Sequence, residues 1–220
     1  MKKGFSKEQI AARAVAEIQD GWYVNLGIGI PNLIPEYLGD KDVVMHSENG
    51  LIGMGPAAQK GQEDPDTVNA AKQPVTIIHG GSICSQSESF AIIRGGHLDL
   101  TVLGAFQVSE NGDMANWQIP GPGRIPGVGG AMDLVAGCKQ VMVTMTHTAK
   151  DGSPKILKEC KFPVTGRKCV NIIITDLAVI RVTDKGLLLE EVAPGFTADE
   201  IQAVTEPKLI ISENIKEMKV

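Results

Sequence analysis

Glu48 stands in the run His46-Ser47-Glu48-Asn49-Gly50, directly after the apolar residues Val43, Val44 and Met45. Such an apolar run reads as the end of a buried strand. The glycines that follow, Gly50, Gly53 and Gly55 with Pro56 behind, read as a loop. A carboxylate at a strand end can take a proton as a general base, or attack an electrophile and form a covalent intermediate. The pattern leaves both open. It leaves a plainer reading too, in which Asn49-Gly50 is a turn and Glu48 its solvated flank.

Two glycine-rich segments could close on such a group. Gly27-Ile28-Gly29-Ile30-Pro31-Asn32 begins like a dinucleotide fingerprint but lacks its third glycine. Nor does an acidic residue follow at a strand end about 20 residues on. It reads better as a turn that lets a ligand or a second backbone approach closely, with Asn25 pointing into the same crevice. Gly127-Val128-Gly129-Gly130-Ala131 precedes a short helical pattern. Backbone N–H groups there, unobstructed by side chains, would suit an anion or oxyanion, although a simple loop-to-helix turn explains them as well. No G-x-S-x-G elbow or P-loop occurs. The four cysteines and four histidines are dispersed, without C-x-x-C or H-x-x-x-H spacing, so reduced thiols and no metal site are expected. Cys84 reads as a core thiol and His97 as a helix-end cap.

These segments need elements to hold them. Ser6 and Gln9 have capping-box spacing ahead of Ile10, Ala14, Val15 and Ile18, which share one helical face. Strand 22–26, a glycine turn, a short helix to about residue 38 and strand 42–45 have the grammar of a βαβ unit. Residues 47–74 show no persistent period and read as one long functional loop. Val75–Ile78 reads as a buried strand, 87–93 as a helix, 98–103 as a strand, and Glu110-Asn111-Gly112-Asp113 as a hairpin turn. A glycine-proline loop over 120–130 leads into a helix over 131–136 and a strand over 141–146. Shorter strands follow at 155–157, 170–174, 178–182, 187–191 and 209–211, with a second capping box, Thr197 and Glu200, before a short helix. The expected fold is α/β, a mixed open sheet with flanking helices, more antiparallel in its last third. Residues 1–220 read as a single domain.

Composition excludes several functions. A hydrophobic share of 43% with 21% charged residues supports a packed core rather than disorder. Net charge is −5 with no basic cluster, which argues against nucleic acid and against a membrane surface. No apolar run approaches the roughly 20 residues of a membrane span, and the expected location is the cytoplasm.

In order, the segments 25–31, Ser47-Glu48-Asn49-Gly50, Ile93-Arg94-Gly95-Gly96-His97, Ala115-Asn116-Trp117 and Gly129-Gly130-Ala131-Met132-Asp133-Leu134-Val135 resemble the B (β) subunit of the family I 3-oxoacid CoA-transferases. The resemblance covers about residues 10–211. The family includes succinyl-CoA:3-oxoacid, 3-oxoadipate, acetate and butyrate–acetoacetate CoA-transferases. The resemblance implies a fold like that of ribose-5-phosphate isomerase and a ping-pong reaction with Glu48 as nucleophile, through an acyl-glutamyl anhydride and a glutamyl-CoA thioester. It implies a backbone oxyanion donor at Gly130, a turn shaped by Gly129 and Ala131, and binding positions at Asn25, Asn49 and Lys72. Gly27 and Gly29 would let the CoA arm pass. Coenzyme A is then a substrate, with no permanently bound cofactor and no metal. The chain matches the second half of fused, single-chain members, so an A (α) subunit is the implied partner, paired as α₂β₂, and the chain alone is expected to be inactive. One departure stands out. The family commonly reads Pro-Gly-Lys where this chain has Pro120-Gly121-Pro122-Gly123-Arg124, a longer and stiffer loop. Two alternatives remain beside this reading: a sugar-phosphate isomerase or deaminase on the same fold, and a non-catalytic assembly subunit.

Overall fold

The computed structural model describes residues 2–220. The chain begins with helix α1 (Lys7–Val15), whose capping box is formed as its sequence predicts: Ser6 Oγ accepts from Gln9 N, and Gln9 returns its side-chain oxygen to Ser6 N. Strand β1 (Tyr23–Leu26), a 3₁₀ helix (Ile30–Tyr37), β2 (Val44–Ser47), β3 (Leu51–Ala57) and β4 (Val75–Ile83) follow. Then come α2 (Gln86–Arg94), β5 (Leu100–Leu103), β6 (Gln107–Ser109), β7 (Met114–Ala115) and α3 (Ala131–Gly137). The remainder is β8 (Gln140–Met145), β9 (Ile156–Leu157), β10 (Ile172–Thr175), β11 (Ala178–Thr183), β12 (Gly186–Val192), α4 (Ala198–Ala203) and β13 (Ile210–Glu217).

Ten strands form one sheet in the order β13-β12-β11-β10-β8-β5-β1-β2-β3-β4. Its centre, β2-β1-β5-β8-β10, is parallel, while β10-β11-β12 and β2-β3-β4 are antiparallel. A small sheet, β7-β6-β9, packs beside it. Side chains alternate between the faces. Val24, Leu26, Leu100, Val102, Met142 and Ile172 belong to a core shared with α1 and the 3₁₀ helix. Leu103, Val141, Val143 and Ile173 belong to a second core with residues of α2, α3 and α4. The chain leaves β1 to one side for β2, then returns to the other side for β5. That reversal opens a crevice beyond the carboxyl ends of the parallel strands, the usual ligand position in open α/β sheets.

Two expectations are corrected here. The interval 47–74 is not one loop, since it contains β3. Gly53 and Gly55 hid its period: the ladder to β4 shifts register around Met54, and a Cβ on Gly53 would stand 2.9 Å from Gly81 Cα. Strand 75–78 is not buried either. It opens β4, the sheet's edge, in which Val75 is buried and Thr76, Ile78 and His79 are exposed. Apolar character on both faces of a strand does not say whether a neighbour will cover it.

His46 and His147 lie in the interior, each with a pKa pushed down to about 4 by burial, His147 also by Lys155. The free imidazole value is 6.5 in both cases. The unfolded chain therefore takes up these protons first as pH falls. Stability should drop from pH 6.5 toward pH 4, by about 1.4 kcal/mol per unit for each histidine at most, and level off below. Urea unfolding across that range measures it; a flat profile would refute neutral burial of both rings.

Candidate active site

Glu48 follows β2 without an intervening residue, so its side chain emerges at the carboxyl rim of the sheet. There it lines a cavity of about 610 Å³. The walls come from the turn after β1 (Gly27, Ile28, Gly29), the turn after β5 (Gly104, Ala105, Phe106) and the loop entering α3 (Gly127–Ala131). The β1 and β5 turns flank the strand reversal. Gly27 has to lie close to its neighbour there: its N–H donates to Val102 O at 2.8 Å, and a Cβ would meet Leu103 Cδ2 at 2.8 Å.

Gly130 packs against the Glu48 carboxylate, where a Cβ would stand 2.5 Å from Glu48 Oε2, and its backbone N–H is close enough to favour the charged form. Burial pushes the Glu48 carboxyl above its ordinary 4.5, the Gly130 donor pulls it back, and the negative charge of Asp133 in α3 pushes it up again. Asp133 is itself paired with Arg94 at 2.9 Å. A partly desolvated carboxylate with a raised pKa is more basic and a better nucleophile once ionised. The loop that carries Gly130 is fixed at its near end, where Gly127 N–H donates to Trp117 O at 2.8 Å. Residues 120–126, beyond that bond, are all exposed.

Behind Glu48 lies a polar row. Asn25 is in register with His46 on one side and Thr101 on the other. Thr101 Oγ1 donates to Asn25 Oδ1 at 3.1 Å, and Asn25 Nδ2 lies 3.1 Å from His46 Nδ1. Donation from that amide makes Nδ1 the acceptor, so the His46 Nε2–H faces Ser89 Oγ at 2.9 Å. The row pins β5, β1, β2 and α2 together immediately before the carboxylate.

The family model described as Coenzyme A transferase matches residues 8–203. The chain belongs to the coenzyme A transferase family. It is 52% identical over 208 residues to the B subunit of 3-oxoadipate CoA-transferase from Pseudomonas putida, covering 94% of this chain and 98% of that one. It is 50% identical over 217 residues to the mitochondrial succinyl-CoA:3-ketoacid coenzyme A transferase 2A of Mus musculus, covering 97% of this chain but 42% of that protein. Among solved structures it resembles the apoenzyme of an acyl-CoA transferase from Escherichia coli, with TM-score 0.78 and 24% identity over 98% of this chain and 43% of that one. The chain is the B (β) subunit of a family I CoA-transferase, and the reaction class is CoA transfer.

Against that identity the expected site residues divide. Glu48, Gly130, Gly27, Gly29, Gly129 and Ala131 all line the cavity. Asn25 does not. Its neighbours Val24 and Leu26 face the α1 core, so strand alternation turns the amide to the other face, where it is buried against His46 and Thr101. Asn49 does not line it either: it accepts from Ser47 Oγ at 2.6 Å and donates to Val68 O at 2.7 Å, tying loop 68–70 to the strand end. Lys72 is exposed just beyond Ala70, the residue that this loop contributes to the wall, and holds a left-handed φ of 62°. Four polar lining groups went unread in the sequence: Lys7, Thr144, Thr146 and Lys155. The alternation Thr144-Met145-Thr146 at the end of a buried strand was the available signal, the same strand-end logic that singled out Glu48.

Proposed function

We propose that Glu48 is the covalent nucleophile of a ping-pong transfer of CoA between an acyl-CoA and a free short-chain carboxylate or 3-oxoacid. The observation that carries this reading is a partly buried Glu48 that lines the cavity at the strand reversal and packs against the backbone of Gly130. Glu48 attacks the thioester carbon; the tetrahedral oxyanion collapses, expelling CoA thiolate and leaving an acyl-glutamyl anhydride. The thiolate then adds to the Glu48 Cδ, and the oxyanion that forms is one of Glu48's own oxygens. A backbone N–H already beside that carboxylate, at Gly130, meets this second oxyanion with little reorganisation. Collapse releases the first carboxylate and leaves a glutamyl-CoA thioester, which an incoming carboxylate opens by the reverse steps. Lys72 is assigned to the approaching CoA substrate as an exposed cation beside the wall. The names of the relatives favour succinyl-CoA and 3-oxoacids, 3-oxoadipate among them, as substrates.

An A (α) subunit is the proposed partner, in an α₂β₂ assembly. The Pseudomonas relative is named as a B subunit, and the mouse relative is more than twice as long as the matched region. The cavity lining also includes exposed apolar side chains, Ile28 at 67% and Val128 at 48%, and the segments on either side of its loop add Ile125 at 94% and Met132 at 37%. Exposed apolar side chains of this size suit burial against another chain. The cytoplasm is the proposed location, in keeping with four cysteines left as thiols.

The test is chemical. The complex with its α subunit is incubated with acyl-CoA alone and digested. A CoA adduct on the Glu48 peptide, cleaved by hydroxylamine, is the expected result. An adduct on any other residue, or none while transfer proceeds, would overturn the assignment.

A further inference from the structure

The proposed transfer passes through two kinds of oxyanion. One forms on the acyl carbon when Glu48 adds to the thioester, the other on Cδ of Glu48 when the thiolate adds to the anhydride. The backbone of Gly130 lies beside the Glu48 carboxylate itself and suits the second. The first forms on the substrate, out in the cavity, and calls for a donor on another wall. Five lining side chains carry N–H or O–H groups: Lys7, Asn116, Thr144, Thr146 and Lys155. Thr144 Oγ1 is buried, and Thr146 Oγ1 donates to Thr148 O at 2.9 Å. The two lysines end in rotatable ammonium groups on flexible stems.

Asn116, directly after β7, is held on both sides. Its backbone N–H donates to Thr165 Oγ1 at 3.0 Å, and that hydroxyl donates in turn to Asn116 Oδ1 at 2.8 Å. Asn116 Nδ2 donates to Gly104 O at 3.3 Å. A hydroxyl on one side and a carbonyl on the other leave the amide a single orientation. An amide nitrogen carries two hydrogens. Gly104 takes one of them, and the other has no partner among the described residues.

The sheet sets where that hydrogen lies. Glu48 follows β2 and Gly104 follows β5, with β1 between them. Two strand spacings separate the strand ends by about 10 Å, room for a glutamate side chain and an acyl carbon. The floor between is bare: a Cβ on Gly104 would meet nothing nearer than Ile28 O at 3.7 Å. Asn116 Nδ2, seated on Gly104 O, borders this floor.

We propose that the second amide N–H of Asn116 is the donor to the oxyanion on the acyl carbon. This rests on the reading of Glu48 as nucleophile. As a Glu48 oxygen bonds to the acyl carbon, the carbonyl electron pair moves onto its oxygen, where Asn116 meets it. Return of that pair expels CoA thiolate. In the last step of the transfer the thiolate adds to the same carbon, and Asn116 serves again.

Two rates separate this role from a structural one. The complex with its α subunit is mixed with succinyl-CoA, and growth of the Glu48–CoA adduct is followed by mass. The adduct is then desalted and given hydroxylamine, which attacks Glu48 Cδ, leaves a hydroxamate there and frees CoA without touching an acyl carbon. In Asn116→Ala, adduct formation should slow about 10²–10³-fold, the effect of losing one oxyanion donor. The hydroxylamine rate should stay within threefold of wild type. Adduct formation slowed less than tenfold overturns the proposal. A hydroxylamine rate that falls more than threefold does so too, because it would mean that the Gly130 side had moved as well. Should Asn116→Ala fail to fold, Asn116→Ser decides on the same limits. With no adduct in the wild type, the nucleophile fails and this inference with it. With the wild-type adduct present and either limit broken, the role of Asn116 alone fails.

Discussion

Glu48→Gln is expected to lower kcat by roughly 10⁴–10⁶-fold, the scale on which covalent enzymes lose rate without their nucleophile. Glutamine keeps the shape of the side chain and can still accept from the Gly130 N–H, but its amide oxygen carries no charge with which to attack a thioester. The CoA adduct on the peptide disappears with the activity. The same substitution should raise stability at neutral pH. Burial holds the folded pKa of Glu48 above the ordinary 4.5. Below pH 4.5 the group is protonated in both states, and its burial carries no charge penalty. As pH rises through the folded pKa, that stability is lost, because the unfolded carboxylate is better solvated. Glutamine never ionises. The variant should therefore melt above the wild type at pH 7 and together with it near pH 4; equal melting at pH 7 would contradict a desolvated carboxylate.

Gly130→Ala should reduce kcat/KM by about 10²–10³-fold, the usual effect of losing one oxyanion donor, without unfolding the protein. Gly130 has φ −90° and ψ 3°, the conformation of position i+2 in a type I turn, which most residues can take, so backbone strain is not the cause. Space is the cause. The new Cβ would stand 2.5 Å from Glu48 Oε2 and 2.8 Å from Phe90 Cζ, and the carboxylate must move off its donor. Loss of a hydrogen bond to the charged form raises the Glu48 pKa further. The acid limb of the pH–rate profile should accordingly shift to higher pH. A loss of rate with an unmoved limb would mean that the donor had stayed in place.

Local chemistry was well marked in the sequence. Both capping boxes form as spaced, at Ser6 with Gln9 and at Thr197 with Glu200, because such caps depend on neighbours within one turn. Glu48 was legible as a strand-end carboxylate, and motif order, rather than any one residue, gave it a role. Features that depend on distant partners were harder to read. Residue spacing gives the alternation at Asn25, but the face that is lined by helix α2 follows from strand order. Strand β3 was lost in its glycines, whose meaning is the close approach of Gly81 far along the chain. Thr144 and Lys155 belong to segments that look like ordinary strand and turn; they become neighbours through the crevice that β5 and β8 frame.

The bond from Gly127 to Trp117 has an evolutionary consequence. It closes the proline-glycine loop at its base, so residues 118–126 form a tip with both ends fixed and the Gly129–Gly130 turn lies outside it. Loop-closure entropy grows only slowly with length. A change of length at this tip therefore leaves the Gly129–Gly130 turn beside Glu48 where it is. The tip is a place where lineages can drift in length, and where an epitope tag could be inserted with little change to the chemistry.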